Sequence, residues 1–571
     1  MRRLLTGATA VALGVAGTLV MANSGTASAD EELRYVVAYA EGSSAASARA
    51  AVRAAGGEIV SENSDIGVAT VTAGEGFAAA ANASDVLVGA AEDRVVAATT
   101  PDAARTARKQ EVSKVETEFR TGDKGNGPKA PKPKGKTDPL SGLQWDMKQI
   151  DAAAANKTER GKGVRVGILD TGVDGSHPDI APNFDAELSR NFTTDIPTDA
   201  NGAAVDGPCE EEADGSCEDA ADVDENGHGT HVASTIASPV NGVGISGVAP
   251  QADIVNLRAG QDSGYFFLQP SVDALTYAGR NGIDVVNMSY YVDPWLFNCT
   301  GHPADSAADQ AEQLTIITAM QRALDYAHRR GVTLVAAAGN QAIDYTKPQT
   351  DASSPDFASE PGEEPYVRDM LDPESCVSMP TEGDGVIAVS ATGPSERKSY
   401  YSSYGDGFVD VAAPGGDAYD TAEGTRDYAA NILAAFPYDL AVAEGAIDPE
   451  TGEVLVPWAV SDCSSGECSY YQYLQGTSMA SPHAAGVAAL IVGKYGKHDR
   501  SGKTLPANTV EKILLKSATD KACPVPADYT YVRHLPDGTT STSTHTCEGG
   551  KAPNGFYGSG IVNAKAAVGR R

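Results

Sequence analysis

The sequence predicts an α/β fold: a doubly wound, mostly parallel sheet with helices on both faces, preceded by a small α+β unit. Short apolar, β-branched runs predict the strands, and helical patterns separate most of them. Strands of continuous apolar character with helices between them are typical of a parallel sheet covered on both faces. The strand runs begin at Gly163, Ala252, Ile283, Gly331 and Gly385, and two helical patterns begin at Ser271 and Thr315.

Residues 30–100 predict the small α+β unit. A strand pattern begins at Arg34, and an Ala-rich helix from Ser44 ends at Gly56-Gly57, where glycine is favoured after a helix. Two strands around a turn follow, and an apolar run from Val86 closes the unit.

A different composition separates this unit from the main domain. Residues 101–140 carry 10 basic against 6 acidic side chains, with regular Pro and Gly. Such a segment has too few apolar residues to bury a core, so we expect an exposed, protease-accessible Lys/Pro-rich linker. Residues 141–571 then form the main domain, and no internal repeat divides them.

The N-terminus predicts export. Met1-Arg2-Arg3 precedes an apolar stretch from Leu4 to Met21, and Ala27-Ser28-Ala29 follows as a small-x-small cleavage signature. This layout is typical of a secretory signal peptide over residues 1–29, and a retained membrane anchor is the alternative. We therefore expect a secreted, extracellular product with no membrane attachment after cleavage.

Charge and cysteine content narrow the function classes. The 571 residues include 77 acidic and 44 basic side chains, a formal net charge of -33. Such a chain repels phosphate backbones, so nucleic acid is not an expected partner. The eight cysteines allow 105 disulfide connectivities. Proximity in sequence favours the pairs 209–217, 299–376, 463–468 and 523–547, and the spacings do not match common zinc ribbons.

Four polar residues lie at strand ends or helix starts, where an α/β sheet places its ligand site. Asp170 ends the run GVRVGILD, and Asn340 ends GVTLVAAAGN. His228 and Ser478 follow Gly-flanked turns that open helical patterns. His228 and His231 form an H-x-x-H pair, but the glutamate of zinc-protease helices is missing, which favours packing over metal binding for His231.

These residue types together suit nucleophilic catalysis. A serine hydroxyl needs a base to remove its proton, and histidine does this near neutral pH. A buried carboxylate fixes the tautomer of that histidine. An asparagine side chain and a backbone N–H at the start of a helix supply donors for an oxyanion.

Residues from about 141 to 571 resemble the subtilisin family of secreted serine peptidases. The matching stretches include GILDTGVDGSHPDI, NGHGTHVAS, LVAAAGN and GTSMASPHAAGVAAL, in the chain order Asp, His, Ser. The resemblance implies a catalytic triad of Asp170, His228 and Ser478, with Asn340 in the oxyanion hole. It also implies that residues 30–100 are an inhibitory propeptide and that the enzyme is made as a zymogen.

The resemblance implies further binding residues. Ser289, Ala337 and Gly339 are expected to bind substrate main chain, although Tyr290-Tyr291 replaces the small residues that the family commonly has there. Asp179 and Asn241 are candidate ligands for a structural calcium ion, whereas the chemistry itself requires no cofactor.

The sequence therefore predicts a secreted serine endopeptidase that acts on polypeptides as a monomer, with its own propeptide as intramolecular inhibitor. One alternative is an aminopeptidase that releases short N-terminal peptides, because insertions can close one end of a cleft. A second alternative is a non-catalytic binding protein on the same scaffold.

Overall fold

The computed structural model describes residues 33–74, 76–93, 111–120, 124–125, 127–128, 137–211, 215–359, 361–498 and 503–569. The predicted signal peptide, residues 1–29, lies outside the described residues. Among the helices of the described part, none is long and apolar enough to cross a membrane.

The secondary structure consists of 22 strands and 12 α-helices within the described residues. In chain order the strands are β1 Leu33–Tyr39, β2 Glu58–Asn63, β3 Val68–Ala73, β4 Leu87–Asp93, β5 Arg165–Leu169, β6 Arg190–Asn191, β7 Asp253–Arg258, β8 Val285–Met288, β9 Asn298–Cys299, β10 Thr333–Ala337, β11 Gln349–Asp351, β12 Arg368–Leu371, β13 Cys376–Val377, β14 Val386–Thr392, β15 Val411–Pro414, β16 Ile432–Ala435, β17 Ala459–Asp462, β18 Ser469–Leu474, β19 Lys497–His498, β20 Lys503–Thr504, β21 Asp528–His534 and β22 Thr540–Thr546. The helices are α1 Ala45–Ala54, α2 Phe77–Asn82, α3 Glu111–Thr117, α4 Trp145–Gln149, α5 Ala152–Ala155, α6 His228–Ala237, α7 Leu268–Asn281, α8 Ala307–Arg329, α9 Tyr438–Ala443, α10 Thr477–Tyr495, α11 Ala507–Ser517 and α12 Ala564–Gly569.

The main sheet has seven strands in the order β15-β14-β10-β8-β5-β7-β6, and every pairing between neighbours is parallel. Successive side chains of a strand point to opposite faces. Along β10, Val335 packs in the cluster that contains α6 and α10, whereas Leu334 and Ala336 pack in the cluster that contains α7 and α8. Helices therefore cover both faces, and the predicted doubly wound α/β fold is confirmed.

The N-terminal unit is a four-stranded antiparallel sheet in the order β2-β3-β1-β4, with α1 and α2 against it. Its own core includes Val37, Val52, Val71 and Phe77. The opposite face contributes buried residues such as Val36 to the cluster of α7 and α8. The predicted α+β unit is confirmed, and it packs on the outer helices of the main domain.

The expected exposure of the 101–140 linker is wrong for part of its length. Phe119 is completely buried and Glu116 is 4% exposed. Gly125 also donates its N–H to Leu455 O at 3.1 Å. Val115, Phe119 and Leu140 pack against the main domain, whereas the Lys/Pro-rich run from Lys129 to Lys136 lies outside the described residues.

All eight cysteines are paired as sequence proximity predicts. The disulfides join Cys209 to Cys217, Cys299 to Cys376, Cys463 to Cys468, and Cys523 to Cys547. The Cys299–Cys376 bond ties β9 to β13 beside a small aromatic cluster. Zinc ligation by these cysteines is thereby excluded.

The long segment before Ser478 forms a second sheet. Strands β16, β18 and β17 pair antiparallel, and the chain leaves β18 directly toward α10. His231 of α6 faces this sheet, with Nε2 3.1 Å from Ile432 O. Burial lowers the pKa of His231 to about 3, so it packs as a neutral ring, as predicted.

Candidate active site

The four polar residues singled out in the sequence lie along one edge of the main sheet. Asp170 directly follows β5, and Asn340 lies three residues after the end of β10. His228 is the first residue of α6, and Ser478 is the second residue of α10. The carboxyl ends of parallel strands meet at this edge, which explains why distant segments converge there.

Asp170 and His228 are in direct contact. Asp170 Oδ1 is 2.6 Å from His228 Nδ1 and also accepts the Thr171 N–H at 2.8 Å. The carboxylate is fully buried, so it holds the imidazole with Nε2 directed away from it. Gly229 permits this approach, because a Cβ there would lie 2.1 Å from Gly172 O.

The start of α6 is fixed by Asp224, a buried carboxylate at the end of the acidic stretch of residues 198–225. Asp224 accepts hydrogen bonds from the Gly227 N–H and from the N–H and hydroxyl of Thr230. Nearby, Asp195 and Asp219 are paired with the buried guanidinium of Arg258. Asp224 therefore orients the start of α6 and with it His228, and the neighbouring Asp195 and Asp219 satisfy an internal cation.

Ser478 is almost fully buried in this conformation. Its Oγ donates to Ser289 O at 3.4 Å, and the described residues show no hydrogen bond between that oxygen and His228 Nε2. The Ser289 hydroxyl in turn donates to Ser478 O at 3.3 Å and pairs with Ser481 Oγ at 2.9 Å. The expected contact between hydroxyl and imidazole is thus not made in this form.

Asn340 has an unsatisfied donor. Its Oδ1 accepts hydrogen bonds from the N–H and hydroxyl of Thr477, at 2.8 and 2.9 Å. Its Nδ2 is buried, and within the described residues no acceptor contacts it. Because buried N–H groups are normally paired, this amide is suited to donate to a ligand beside Ser478.

The predicted substrate-binding residues surround the same small cavity. Ser289, Ala337 and Gly339 line it together with Asn340 and Ser478. Gly339 has a φ of +99°, and a Cβ there would lie 2.9 Å from Gln341 Oε1. The backbone conformation at this wall therefore requires glycine.

His228 Nε2 faces a carboxylate that the sequence did not point to. Glu116 Oε1 lies 3.4 Å from Nε2, and the His228 side chain is only 13% exposed. Burial opposes a charge on the ring, but Asp170 and then Glu116 outweigh it and raise the pKa of His228 well above its ordinary value. The imidazole thus lies between two carboxylates, and both favour its protonated form.

Glu116 belongs to a segment that crosses the site, residues 114–120, which we call the strap. Val115 O accepts a hydrogen bond from Gln475 Nε2 at 3.0 Å. Farther along, the Arg120 guanidinium lies 3.8 Å above the Trp458 ring and 3.1 Å from Glu444. The 3–4 spacing of Val112, Val115 and Phe119 is a helical apolar pattern that could have revealed this segment in the sequence.

The two calcium candidates are adjacent but face hydrogen donors. Asp179 accepts hydrogen bonds from Asn241 Nδ2 at 3.1 Å, the Ile245 N–H at 2.9 Å and the Tyr471 hydroxyl at 2.8 Å. Asn241 Oδ1 accepts the Val243 N–H. Burial raises the pKa of Asp179 to about 7. Calcium binds six to eight oxygen ligands through their lone pairs. Because the Asp179 and Asn241 oxygens accept hydrogen bonds here, this arrangement does not fit the ion.

Comparisons with known proteins agree with this architecture. A sequence profile described as the subtilase family matches residues 161–560. Subtilisin DY from Bacillus licheniformis is 28% identical over 63% of this chain and 85% of its own length. Thermitase from Thermoactinomyces vulgaris is 27% identical over 66% of this chain and 90% of its own length.

A solved structure shows the same fold. The epidermin leader peptide processing serine protease from Staphylococcus aureus covers 94% of this chain and 98% of its own, with a TM-score of 0.57 at 20% identity. Since the family profile spans well over half of the sequence, the chain belongs to the subtilase family of serine peptidases.

Proposed function

We propose that the protein is a secreted serine endopeptidase, made as a zymogen, with Asp170, His228 and Ser478 as its triad. One observation carries the proposal. A buried carboxylate lies 2.6 Å from an imidazole whose other nitrogen lies 3.4 Å from Glu116 Oε1, and that oxygen lies beside Gly476, two residues before Ser478. The unpaired Asn340 amide lines the cavity beside Ser478.

The proposed chemistry uses only groups of this chain and substrate. His228 Nε2 takes the Ser478 proton as Oγ bonds to the peptide carbonyl carbon. Asn340 Nδ2 and the Ser478 N–H donate to the oxyanion, since N–H groups in a first helical turn have no helical partner. The imidazolium then protonates the leaving amine as the C–N bond breaks. Water, deprotonated by His228, hydrolyses the acyl-enzyme.

The inactive geometry supports the zymogen proposal. Glu116 faces the nitrogen that must receive the serine proton. Ser478 Oγ donates a hydrogen bond to Ser289 O and not to His228 Nε2. Activation would therefore require the strap to leave, so that Nε2 is neutral and the hydroxyl can turn toward it. We propose that residues 30–100 act as the propeptide and that cleavage within the linker removes both segments.

The shape of the cleft favours an endopeptidase over an aminopeptidase. A cavity of about 790 Å³ continues from the small cavity at Ser478, and Tyr291, Leu296 and Gln341 line both. This space accommodates several residues N-terminal to the scissile bond, whereas release of short N-terminal peptides requires a closed end. The disulfides support a secreted protein, because they persist in oxidising compartments.

The test compares the parent protein with its Ser478→Ala variant on a mixed peptide library, with new termini mapped by mass spectrometry. We expect internal cuts by the parent and a loss of at least about 10³-fold in the variant. We also expect the variant to keep residues 30–100 attached, as measured by intact mass. N-terminal tripeptide release would indicate the aminopeptidase, and equal cutting by both proteins would refute the triad.

A further inference from the structure

The small cavity beside Ser478 limits which residue can precede the scissile bond. This step rests on the proposed function. If Ser478 Oγ attacks a carbonyl whose oxygen binds Asn340, the side chain one bond from that carbonyl must enter the adjacent cavity. The cavity measures about 30 Å³, and none of the described residues that line it carries a charged side chain. One ordered water needs at least about 10–15 Å³ of such space, so there is room for about two or three heavy atoms.

Tyr345 forms one wall of this small cavity, which Tyr290, Tyr291 and Leu296 also line. Its ring stacks on Phe408 at a centroid distance of 3.7 Å and also packs against Phe297 at 5.7 Å. These rings belong to the cluster that contains the Cys299–Cys376 disulfide. Tyr345 is 8% exposed and is held from several sides, so it does not swing away to admit a larger group.

A second and larger cavity lies behind this wall. It measures about 410 Å³, and Tyr345 and Thr381 line both it and the small cavity. Acidic side chains line the larger space, namely Glu382, Asp384, Asp406 and Asp410. The ring of Tyr345 therefore separates a small neutral cavity from a large acidic one.

We propose that Tyr345 is a specificity-determining residue, and that this enzyme cleaves after small, uncharged residues such as Ala, Gly and Ser. The small cavity accepts a methyl or hydroxymethyl group. Phenylalanine and lysine side chains are too large for it, and the acidic cavity that would attract lysine lies beyond the ring.

The test uses the processed enzyme and peptides that differ only at the residue before the scissile bond, with kcat/KM measured at pH 8. This pH ionises Glu382, because burial raises its pKa to about 7. We expect the alanine peptide to exceed the phenylalanine and lysine peptides by about 100-fold or more. Equal rates for alanine and either larger residue overturn the proposal.

Variants at Tyr345 and Glu382 test whether the Tyr345 ring causes the preference for small residues. Tyr345→Ala should raise kcat/KM for the phenylalanine and lysine peptides at least about tenfold, and Tyr345→Phe should keep the parent profile. Adding Glu382→Gln to Tyr345→Ala should remove the gain for lysine and keep the gain for phenylalanine. If Tyr345→Ala does not fold, Tyr345→Leu replaces it and should shift the profile in the same direction.

The outcomes separate the two proposals. An unchanged profile in the folded Tyr345 variants overturns the role of this residue. Absence of Ser478-dependent cleavage with every peptide would instead refute the proposed function. Cleavage that depends on Ser478 but favours phenylalanine or lysine refutes only the inference about specificity.

Discussion

The two N-terminal segments of this protein contact the main domain in different ways. The four-stranded unit lies on the outer helices, where Asn63 Nδ2 donates to Thr276 Oγ1 at 2.8 Å and Thr70 Oγ1 donates to Gln269 Oε1 at 2.7 Å. The strap has only seven residues, yet its Glu116 lies 3.4 Å from His228 Nε2. The larger unit contacts the scaffold, and the smaller segment contacts His228, the proposed catalytic base.

The segment with the larger interface is therefore not the one that makes the proposed inhibitory contact. The described unit, residues 33–93, buries an apolar face on α7 and α8, which suits a role in folding or in holding the N-terminal segment close. The strap combines a buried aromatic anchor with a charge placed at the imidazole. We therefore expect changes in the strap to open the active site and changes in the unit to leave it closed.

The largest expected effect on strap docking comes from Phe119, the buried aromatic residue that anchors the strap. Phe119 is completely buried, and its ring lies 5.9 Å from Tyr428 in an edge-on arrangement. Phe119→Ala, made in the full Ser478→Ala chain, should weaken strap docking by about 3 kcal/mol, or roughly a hundredfold. Hydrogen–deuterium exchange of amides 114–120 should accelerate accordingly, while exchange in residues 33–93 stays the same. Equal acceleration in both segments would show that they dock as one body.

A smaller effect on strap docking is expected from the Glu116 carboxylate, which faces the His228 imidazole. Glu116→Gln in the same background should lower the pKa of His228, measured by NMR titration of the ring, and speed strap exchange about fivefold, or about 1 kcal/mol. Because Glu116 adds to the rise in the pKa of His228 only when the strap is docked, this stabilisation is fully present below the pKa of His228 in the undocked form and is lost as the pH rises through the higher pKa of the docked form.

Strap exchange, corrected for intrinsic rates, should therefore accelerate with rising pH in the parent and much less in Glu116→Gln. Glu118→Gln is the matched control, since Glu118 pairs with Arg533 at 2.7 Å and not with the imidazole. It should leave the titration of His228 unchanged. An unaltered titration in Glu116→Gln would refute the contact.

The smallest expected effect comes from Arg280, which helps to dock the four-stranded unit on the main domain. Arg280 contacts Asp65 at 2.8 Å and Asn63 Oδ1 at 2.9 Å, but the Arg280 and Asp65 side chains are about half and one-third exposed. Arg280→Ala should cost about 0.5 kcal/mol, so exchange in β2 and β3 should rise about twofold. Strap exchange should not change. The exposed Arg53 supplies the control variant Arg53→Ala, and a faster strap in Arg280→Ala would contradict the separation of the two segments.

Local patterns accounted for much of the fold and the site. The runs ending at Asp170 and Asn340 become β5, β10 and the turns after them, and the Gly-flanked turns place His228 and Ser478 at helix starts. These predictions succeed because strand and helix periodicity and turn glycines act over a few residues. The four disulfides also follow sequence proximity. The role of each site residue stays a prediction until the variants are measured.

Short-range patterns and chain order were enough to predict the α/β architecture, the small N-terminal unit and the convergence of Asp170 with His228. Three other features emerge only in the folded chain: Glu116 faces the imidazole, Tyr345 lines both cavities, and Asp179 accepts hydrogen bonds from three donors. Each of these depends on side chains from segments that are far apart in the chain. Their contacts are selected by packing and burial in three dimensions, which no local pattern records.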